Sequence, residues 1–354
     1  MKKHNFSAGP CILPNEVMEK AAQAVVELDN SGLSLIEISH RSQAFVEIMD
    51  KATSLAIELL GLEGKGYKAM FLQGGASQQF LNVANNFLEN KAGYANTGTW
   101  SSKAIKEAKL FGQVIELSSS KEANFNYIPK GFDVPSDLDY LHITTNNTIF
   151  GTQYKVLPET SVPLIADSSS DIFSRSLDFS KFDLLYAGAQ KNMGPAGTTL
   201  VVAKEHALGK VSRQIPSMLD YKTHMGKDSM FNTPPVFAVY TSMLTLQWLK
   251  NKGGIAAIEK KNEANAALMY GEIDRNPLFD GLAAKEDRSI MNATFTLNDA
   301  TQKERFESMA KEAGLNGING HRSVGGYRAS MYNALPIESV QVLVDVMKTL
   351  EQNA

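Results

Sequence analysis

The sequence of 354 residues is poor in the features that mark several classes of protein. Its single cysteine, Cys11, excludes an internal disulfide bond, and we expect a reducing, cytoplasmic setting. No stretch approaches the roughly 18 consecutive apolar residues of a membrane-spanning helix, and the N-terminus lacks the apolar run of a signal peptide. Spacings typical of zinc sites, P-loops and dinucleotide-binding glycine motifs are also missing, so we expect no metal site. The net charge of -3 does not indicate nucleic-acid binding.

The length and the order of the predicted elements favour an α/β protein of two domains. A chain of this length is too long for one small core. Short β-compatible runs alternate with helical periodicity between residues 67 and 203, which is typical of a largely parallel sheet between helices. Long helices are then predicted over 235–249 and 255–279, followed by a short strand and further helices. We predict an N-terminal arm over 1–15, a large domain over 16–255 and a small C-terminal domain over 256–354.

Lys191 stands among small residues between two apolar runs that are predicted to be buried strands. We expect it on a turn at the end of a strand. From this segment alone, two readings fit Lys191 equally well. Its side chain either extends into solvent from the end of the strand or lies in a partly desolvated site. Desolvation disfavours the ammonium form of lysine, which suits a residue that forms a Schiff base.

Two further segments give the lysine a chemical context. Asp167 ends the strand-like run over 163–166, and consecutive strands would bring it to the same sheet edge as Lys191; alone, it also fits a helix N-cap. A strand over 67–72 leads through two glycines into a helix, which offers N–H groups to a phosphate but also simply permits a tight turn. A lysine, a carboxylate for a ring nitrogen and a phosphate-binding turn together match the needs of pyridoxal phosphate.

Trp100 and a few arginines complete the set of candidates. Trp100 begins a predicted helix, where it would either lie against a planar ring or simply pack. Three of the eight arginines, Arg41, Arg322 and Arg328, occur in predicted loops with small residues. Guanidinium forks pair with carboxylates and phosphates, so these arginines suggest a substrate with two or three negative charges. His40 and His321 precede two of them and would add donors, although an isolated histidine is usually structural.

Motifs along the whole chain resemble those of the phosphoserine aminotransferases. They are NFSAGP at 5–10, SHR at 39–41, YAGAQKN at 186–192, GPAG at 194–197, SMFNTPP at 229–235, and GHR at 320–322 leading to AS at 329–330. The resemblance is to class V, fold-type I aminotransferases that use pyridoxal 5'-phosphate. It implies a seven-stranded, mostly parallel sheet between helices, a smaller α/β C-terminal domain, and a homodimer with active sites at its interface.

The reaction implied by this resemblance is the reversible transamination of 3-phosphohydroxypyruvate with L-glutamate. Its products are O-phospho-L-serine and 2-oxoglutarate, which places the family in serine biosynthesis. Family members also act on the homologous four-carbon phosphate, forming 4-phosphohydroxythreonine in pyridoxine biosynthesis.

The resemblance also implies a role for each candidate residue. Lys191 would form the Schiff base and carry the proton, while Asp167 would pair with the pyridine nitrogen. The remaining cofactor contacts would come from Trp100 on the ring, Thr148 at the 3-oxygen, Ala76, Ser77 and Gln190 at the phosphate, and Asn232 and Thr233 of the partner subunit. The substrate would be held by Arg328 at its α-carboxylate, and at its second anion by His40 and Arg41, with His321 and Arg322 from across the interface.

Two positions depart from the pattern of some family members. Ser77 stands where some members have arginine, and Ala8 stands where some have serine, so the anion pocket is expected to be less charged. Two other readings stay open. One is different chemistry on the same fold, such as a lyase or a desulfurase, for which Cys11 is a poor candidate nucleophile. The other is a non-catalytic protein that binds the cofactor.

Overall fold

The structure, a computed structural model, describes residues 3–353. The α-helices are α1 (Asn15–Val26), α2 (Gln43–Leu59), α3 (Ala76–Phe87), α4 (Thr99–Ala108), α5 (Ala189–Asn192), α6 (Tyr221–Met225), α7 (Val236–Asn251), α8 (Gly254–Arg275), α9 (Lys303–Glu312) and α10 (Ile337–Gln352). The strands are β1 (His4–Asn5), β2 (Tyr67–Gln73), β3 (Lys91–Asn96), β4 (Gln113–Ser119), β5 (Leu141–Thr144), β6 (Asn146–Asn147), β7 (Thr152–Gln153), β8 (Leu164–Asp167), β9 (Leu184–Gly188), β10 (Thr198–Lys204), β11 (Phe279–Gly281), β12 (Asn292–Leu297), β13 (Leu315–Asn316) and β14 (Tyr327–Ser330). Short 3-10 helices lie at Lys121–Ala123, Phe179–Lys181, Glu205–Ala207, Lys285–Asp287 and Ala300–Gln302. Within the described residues, no helix is both long and apolar enough to cross a membrane.

The central sheet has seven strands in the order β2-β10-β9-β8-β5-β3-β4. The pairs from β9 to β4 are parallel, whereas β10 runs antiparallel to both of its neighbours. The prediction of a mostly parallel sheet is confirmed. Such a sheet is covered on both faces, which is why its inner strands are continuously apolar: every residue of β9 (LLYAG) is buried.

Helices cover both faces of this sheet. On one face, α2 packs against α7 and buries a stripe of residues spaced three and four apart, including Phe45, Ile48, Ala52 and Leu55. On the opposite face, α3 and α4 bury their apolar side chains against the alternate residues of the same strands. The carboxyl ends of the parallel strands stay free of these layers, and they therefore provide the edge on which a site is built.

The C-terminal part has its own small sheet, in which β12 lies between β11 and β14 and pairs with both in antiparallel fashion. This sheet packs with α8, α9 and α10 around a separate apolar cluster that also contains Phe6. Phe6 belongs there because β1 pairs in parallel with β13. The division of the chain at residue 255 stays a prediction.

Three local predictions are wrong. The helix predicted over 255–279 ends at Arg275, because Pro277 disfavours helical backbone at Asn276, and residue 279 begins β11 instead. Arg328 lies on β14 rather than in a loop; this strand has four residues and follows a glycine-rich stretch, so no periodicity marks it. Lys191 lies in the single-turn helix α5 rather than on a turn.

Candidate functional site

The site is assembled at the carboxyl edge of two neighbouring parallel strands. Asp167 is the last residue of β8 and pairs in register with Tyr186 of β9. β9 ends at Gly188 and leads directly into α5, which carries Lys191. The expectation that Asp167 and Lys191 share one sheet edge therefore holds, because adjacent parallel strands end side by side. No cluster of three or more His, Cys, Asp or Glu side chains suited to a metal ion occurs within residues 3–353.

The side chain of Lys191 is held inside the site and does not extend freely into solvent. Its Nζ donates a hydrogen bond to Thr148 Oγ1 at 2.8 Å and lies 5.5 Å from the centre of the Trp100 ring. Burial lowers the pKa of Lys191 to about 8, although the negative charge of Asp167 opposes that shift. An amine with this pKa is present partly in the neutral, nucleophilic form near physiological pH.

Asp167 is 5% exposed and is held by a serine two residues later. Its Oδ1 accepts hydrogen bonds from Ser169 N at 3.0 Å and from Ser169 Oγ at 2.6 Å. These bonds form a local turn after the strand, so Asp167 is not a helix N-cap. Burial raises the pKa of this carboxyl group, while the charge of Lys191 and the bonds from Ser169 act in the opposite direction. Both bonds go to Oδ1, and no hydrogen bond from the described residues goes to Oδ2.

A glycine turn that leads into a helix, an arrangement suited to binding an anion, lies beside these two residues. Helix α3 begins at Ala76 after Gly74, whose φ is 89°, and the first N–H groups of a helix have no acceptor within it. A Cβ placed on Gly188 would lie 2.7 Å from Gln190 Oε1 and 3.4 Å from Ala76 N. Glycine at 188 therefore keeps open a cradle between Gln190 and the start of α3. Together with Lys191, this cradle of neutral donors fits the phosphate, ring and aldehyde of pyridoxal phosphate.

Trp100 lies in the first turn of α4, where a strand of the central sheet gives way to a helix. Two cations approach its ring. One is Lys191, and the other is Lys103, whose Nζ lies 4.7 Å from the ring centre. The indole Nε1 is buried and has no hydrogen-bond partner among the described residues. The sequence had indicated Trp100 but not Lys103, which adds a positive charge beside the predicted anion pocket.

Arg328 reaches the site from the C-terminal sheet. It is 9% exposed, and its Nη1 group donates to the carbonyl of Thr148 at 3.3 Å. Its Nε group is buried without a partner within the described chain. Burial lowers the pKa of Arg328, but an arginine remains charged in proteins. A buried guanidinium with an unused N–H group is suited to binding a carboxylate.

The pair of His321 and Arg322 differs from Arg328 in that the Arg322 side chain is exposed. Burial lowers the pKa of His321, and the nearby charges of Arg328, Arg322 and Lys103 lower it further. The resemblance implied that residues 321 and 322 act from across an interface, whereas the structure places His321 near Arg328 of its own chain.

His40 and Arg41 occupy the turn that precedes α2, and Arg41 is exposed. Within residues 3–353, no hydrogen bond or ion pair joins either of them to Lys191 or Arg328. The structure therefore does not bring this pair into the site of its own chain. Their role at a shared interface stays a prediction.

Asn232 and Thr233 lie beside the last residue of β2, close to the glycine turn. Asn232 Nδ2 donates to Gln73 Oε1 at 2.7 Å, and the carbonyl of Thr233 accepts a hydrogen bond from Gln73 Nε2. Ser77, at the start of α3, is exposed. The predicted contacts of Asn232 and Thr233 with a partner's cofactor stay predictions.

The segment that follows β1 packs against the helix that carries the lysine, a contact that the sequence did not reveal. A Cβ placed on Gly9 would lie 3.2 Å from Lys191 Cγ. Cys11 N donates to the carbonyl of Gln190 at 3.1 Å, and Cys11 Sγ donates to the carbonyl of Lys191. Burial raises the pKa of the Cys11 thiol to about 12. This cysteine is therefore not the thiolate nucleophile that a desulfurase needs.

Comparison with known proteins agrees with this geometry. Residues 3–343 match the family model described as aminotransferase class-V. Fold, site and match define the chain as a class-V aminotransferase.

Its relatives are more specific. The chain is 65% identical over 353 residues to a phosphoserine aminotransferase of Flavobacterium psychrophilum, with 99% of each protein covered. The solved phosphoserine aminotransferase of Bacillus circulans subsp. alkalophilus superimposes with a TM-score of 0.96 at 41% identity, covering 99% of both chains. The solved enzyme of Trichomonas vaginalis, with pyridoxal phosphate bound, has a TM-score of 0.92 at 35% identity and covers 98% of this chain and 100% of its own. The chain belongs to the phosphoserine aminotransferase family.

Proposed function

We propose that this chain transfers the amino group of L-glutamate to 3-phosphohydroxypyruvate, giving O-phospho-L-serine and 2-oxoglutarate, with pyridoxal phosphate as cofactor. The observation that carries the proposal is the meeting of Lys191, Asp167 and the start of α3 at one sheet edge. Arg328 lies beside them and would bind the α-carboxylate group that the amino donor and the amino acceptor both have. The same site would accept the homologous four-carbon phosphate.

The residues at the sheet edge are suited to hold the cofactor. The N–H groups of Ala76 and Ser77 and the amide of Gln190 would bind its phosphate. Trp100 would cover the ring, and Asp167 Oδ2 would keep the ring nitrogen protonated, which its negative charge favours. Thr148 Oγ1, already bonded to Lys191 Nζ, would lie beside the ring oxygen. When bound, pyridoxal phosphate supplies an aldehyde that condenses with amines and a ring that accepts electrons.

Lys191 would do the acid-base work of the reaction. A pKa of about 8 lets its Nζ group exist in both protonation states near neutral pH. The neutral amine would accept the proton from the substrate Cα, and the resulting ammonium would donate it to C4′ of the cofactor, on the other side of the amino nitrogen. The hydrogen bond to Thr148 would orient Nζ between these two positions.

Charged loops would select substrates with a second anion. His321, Arg322 and Lys103 would receive it near Arg328 of the same chain, and His40 and Arg41 would reach it from the second subunit of a homodimer. Lys103 would supply a positive charge to this pocket, which some family members obtain from an arginine at the position of Ser77. We propose that this homodimer acts in the cytoplasm, because a chain with a single cysteine forms no internal disulfide bond and suits a reducing compartment.

A transamination assay tests the proposal directly. With glutamate as amino donor, 3-phosphohydroxypyruvate should react much faster at limiting concentration than unphosphorylated hydroxypyruvate. Equal kcat/KM values for the two acceptors would remove the second-anion role of the loops. A purified protein that transfers no amino group to either acceptor would refute the proposed reaction.

A further inference from the structure

Three segments of the site meet at a buried pair of asparagines, Asn146 and Asn292, which the function proposed above does not use. Asn146 Nδ2 donates to Asn292 Oδ1 at 2.8 Å and to Ser170 Oγ at 2.8 Å. Asn292 Nδ2 donates in turn to Ser330 Oγ at 3.0 Å. None of these four side chains is more than 2% exposed. They form one continuous relay of hydrogen bonds.

Each segment in this relay carries a residue of the site. The first is the serine-rich turn that follows Asp167. The second is the β6–β7 hairpin, whose loop carries Thr148. The third is β14, which carries Arg328 and pairs with β12. The relay thus joins the part of the site that faces the cofactor to the part that faces the substrate carboxylate.

Other contacts hold the hairpin against β12 but do not reach the turn after Asp167. Thr294 Oγ1 donates to the carbonyl of Phe150 at 3.0 Å, and Ser289 N donates to the carbonyl of Gly151 at 2.8 Å. A Cβ on Gly151 would lie 2.5 Å from Thr294 Oγ1, so the two elements are already in close contact. The turn after Asp167 is also bonded to the hairpin side by Thr145 and Gln153, whose side chains donate to Asp171. The asparagine pair is the contact that continues these bonds to β12 and, through Ser330, to β14.

We propose that Asn292 is a positioning residue that fixes Arg328 relative to Thr148 and the turn after Asp167. It would touch no substrate itself. The substrate carboxylate on Arg328 must lie at a set distance from Lys191 for the proton at Cα to be moved, and small misplacements are costly in rate. The inference rests on the proposed function, because it takes Arg328 as the carboxylate-binding residue.

The first test compares two buried asparagines. Asn292→Ala should raise the KM for glutamate about tenfold and lower kcat less, because carboxylate placement is lost while Lys191 is unchanged. Asn265→Ala is the matched control: Asn265 is fully buried, and its Nδ2 donates to the carbonyl of Leu335 at 3.2 Å, away from the relay. It should lower the melting temperature comparably and leave the KM unchanged. An equal effect of both variants on KM would overturn the inference.

A double-mutant cycle tests whether Asn292 acts through Arg328. Arg328→Lys keeps the charge but loses the fork, and it should itself raise the KM for glutamate. In the Arg328→Lys background, Asn292→Ala should raise the KM for glutamate little further, because the placement of the Arg328 fork that Asn292 would maintain is already lost. Fully additive effects would overturn the inference. If Arg328→Lys has no effect on its own, the proposed carboxylate site fails instead, so the two failures are distinguishable.

Hydrogen exchange gives a readout that is independent of activity. Amides of β14 and of the β6–β7 hairpin should exchange faster in Asn292→Ala than in Asn265→Ala. Ser330→Ala removes only the last bond of the relay and provides a milder variant if Asn292→Ala does not fold. It should shift KM and β14 exchange in the same direction, by a smaller factor. Unchanged β14 exchange in both relay variants would contradict the inference.

Discussion

The centre around Lys191 and the loops with the His-Arg pairs are held in different ways. Lys191 donates a hydrogen bond to Thr148 of a neighbouring segment, and Asp167 accepts two hydrogen bonds from Ser169 in the turn that follows it. Arg41 and Arg322 are exposed and form no ion pair among the described residues. The chemical centre is therefore preorganised by the fold of one chain. The residues that would bind the second anionic group of the substrate are not fixed in this way, and a ligand or a second subunit would order them. Substitutions in the two regions should consequently change different kinetic constants.

Lys191→Ala should have the largest effect. Without the Nζ group, no base lies at the substrate Cα, and we expect kcat to fall by at least about 10³-fold, within the range of acid-base contributions. The transamination rate with saturating substrates measures this loss, and circular dichroism checks that the variant is folded. A variant that keeps more than a tenth of the rate would show that another base serves the reaction.

The pH dependence of Lys191 tests the buried centre without turnover. Because burial lowers its pKa to about 8, the amine should be mostly neutral above that pH. In cofactor-free protein at pH 8, an amine-directed acylating reagent should modify Lys191 about 10²-fold faster than a lysine of ordinary pKa and similar access. The rate should rise up to about pH 8 and then level off, as followed by mass spectrometry of the peptide. A midpoint near that of surface lysines would contradict the desolvated setting.

Asp167→Asn should follow, with a loss in kcat of roughly 10²-fold, similar to the removal of one preorganised charge-stabilising group. The amide keeps an acceptor for the two bonds from Ser169 but no longer holds a positive charge on the ring nitrogen. Ser169→Ala serves as the comparison, because it disturbs the turn and leaves the carboxylate. Ser169→Ala should lower kcat far less than Asp167→Asn does. A larger loss in kcat for Ser169→Ala would argue against a role for the charge of Asp167.

Arg41→Ala and Arg322→Ala should have a smaller and more selective effect. We expect each to raise the KM for 3-phosphohydroxypyruvate by roughly 30-fold, the worth of one hydrogen bond to a charged group, and to leave hydroxypyruvate nearly unchanged. Mixed dimers then separate the two loops. Arg41→Ala mixed with Lys191→Ala should regain activity, because one site would have both side chains, whereas Arg322→Ala mixed with Lys191→Ala should not. The opposite pattern would reverse the assignment of the loops to subunits.

The sequence predicted the centre better than its surroundings, and the reason is topological. Lys191 and Asp167 follow consecutive parallel strands, so their meeting could be inferred from strand order alone. The Asn146–Asn292 contact joins residues 146 positions apart on two different sheets, and no local pattern encodes such a contact. Arg328 was recognised by its residue type, but its strand was missed because four residues beside glycines show no periodicity.

The contact of the arm with the Lys191 helix has a consequence for how the protein is made. The backbone of His4 and Phe6 bonds to residues 314 and 316, and Asn5 and Asn316 are separated by 311 positions. During synthesis, this N-terminal segment therefore stays unpaired until residues 314–316 have left the ribosome, when nearly all of the chain has been made. We expect Gly9 and Cys11, which directly follow this segment, to pack stably against α5 only after that pairing has formed. We expect the lysine to be enclosed in one of the last folding steps, since contacts between distant parts of a chain form slowly.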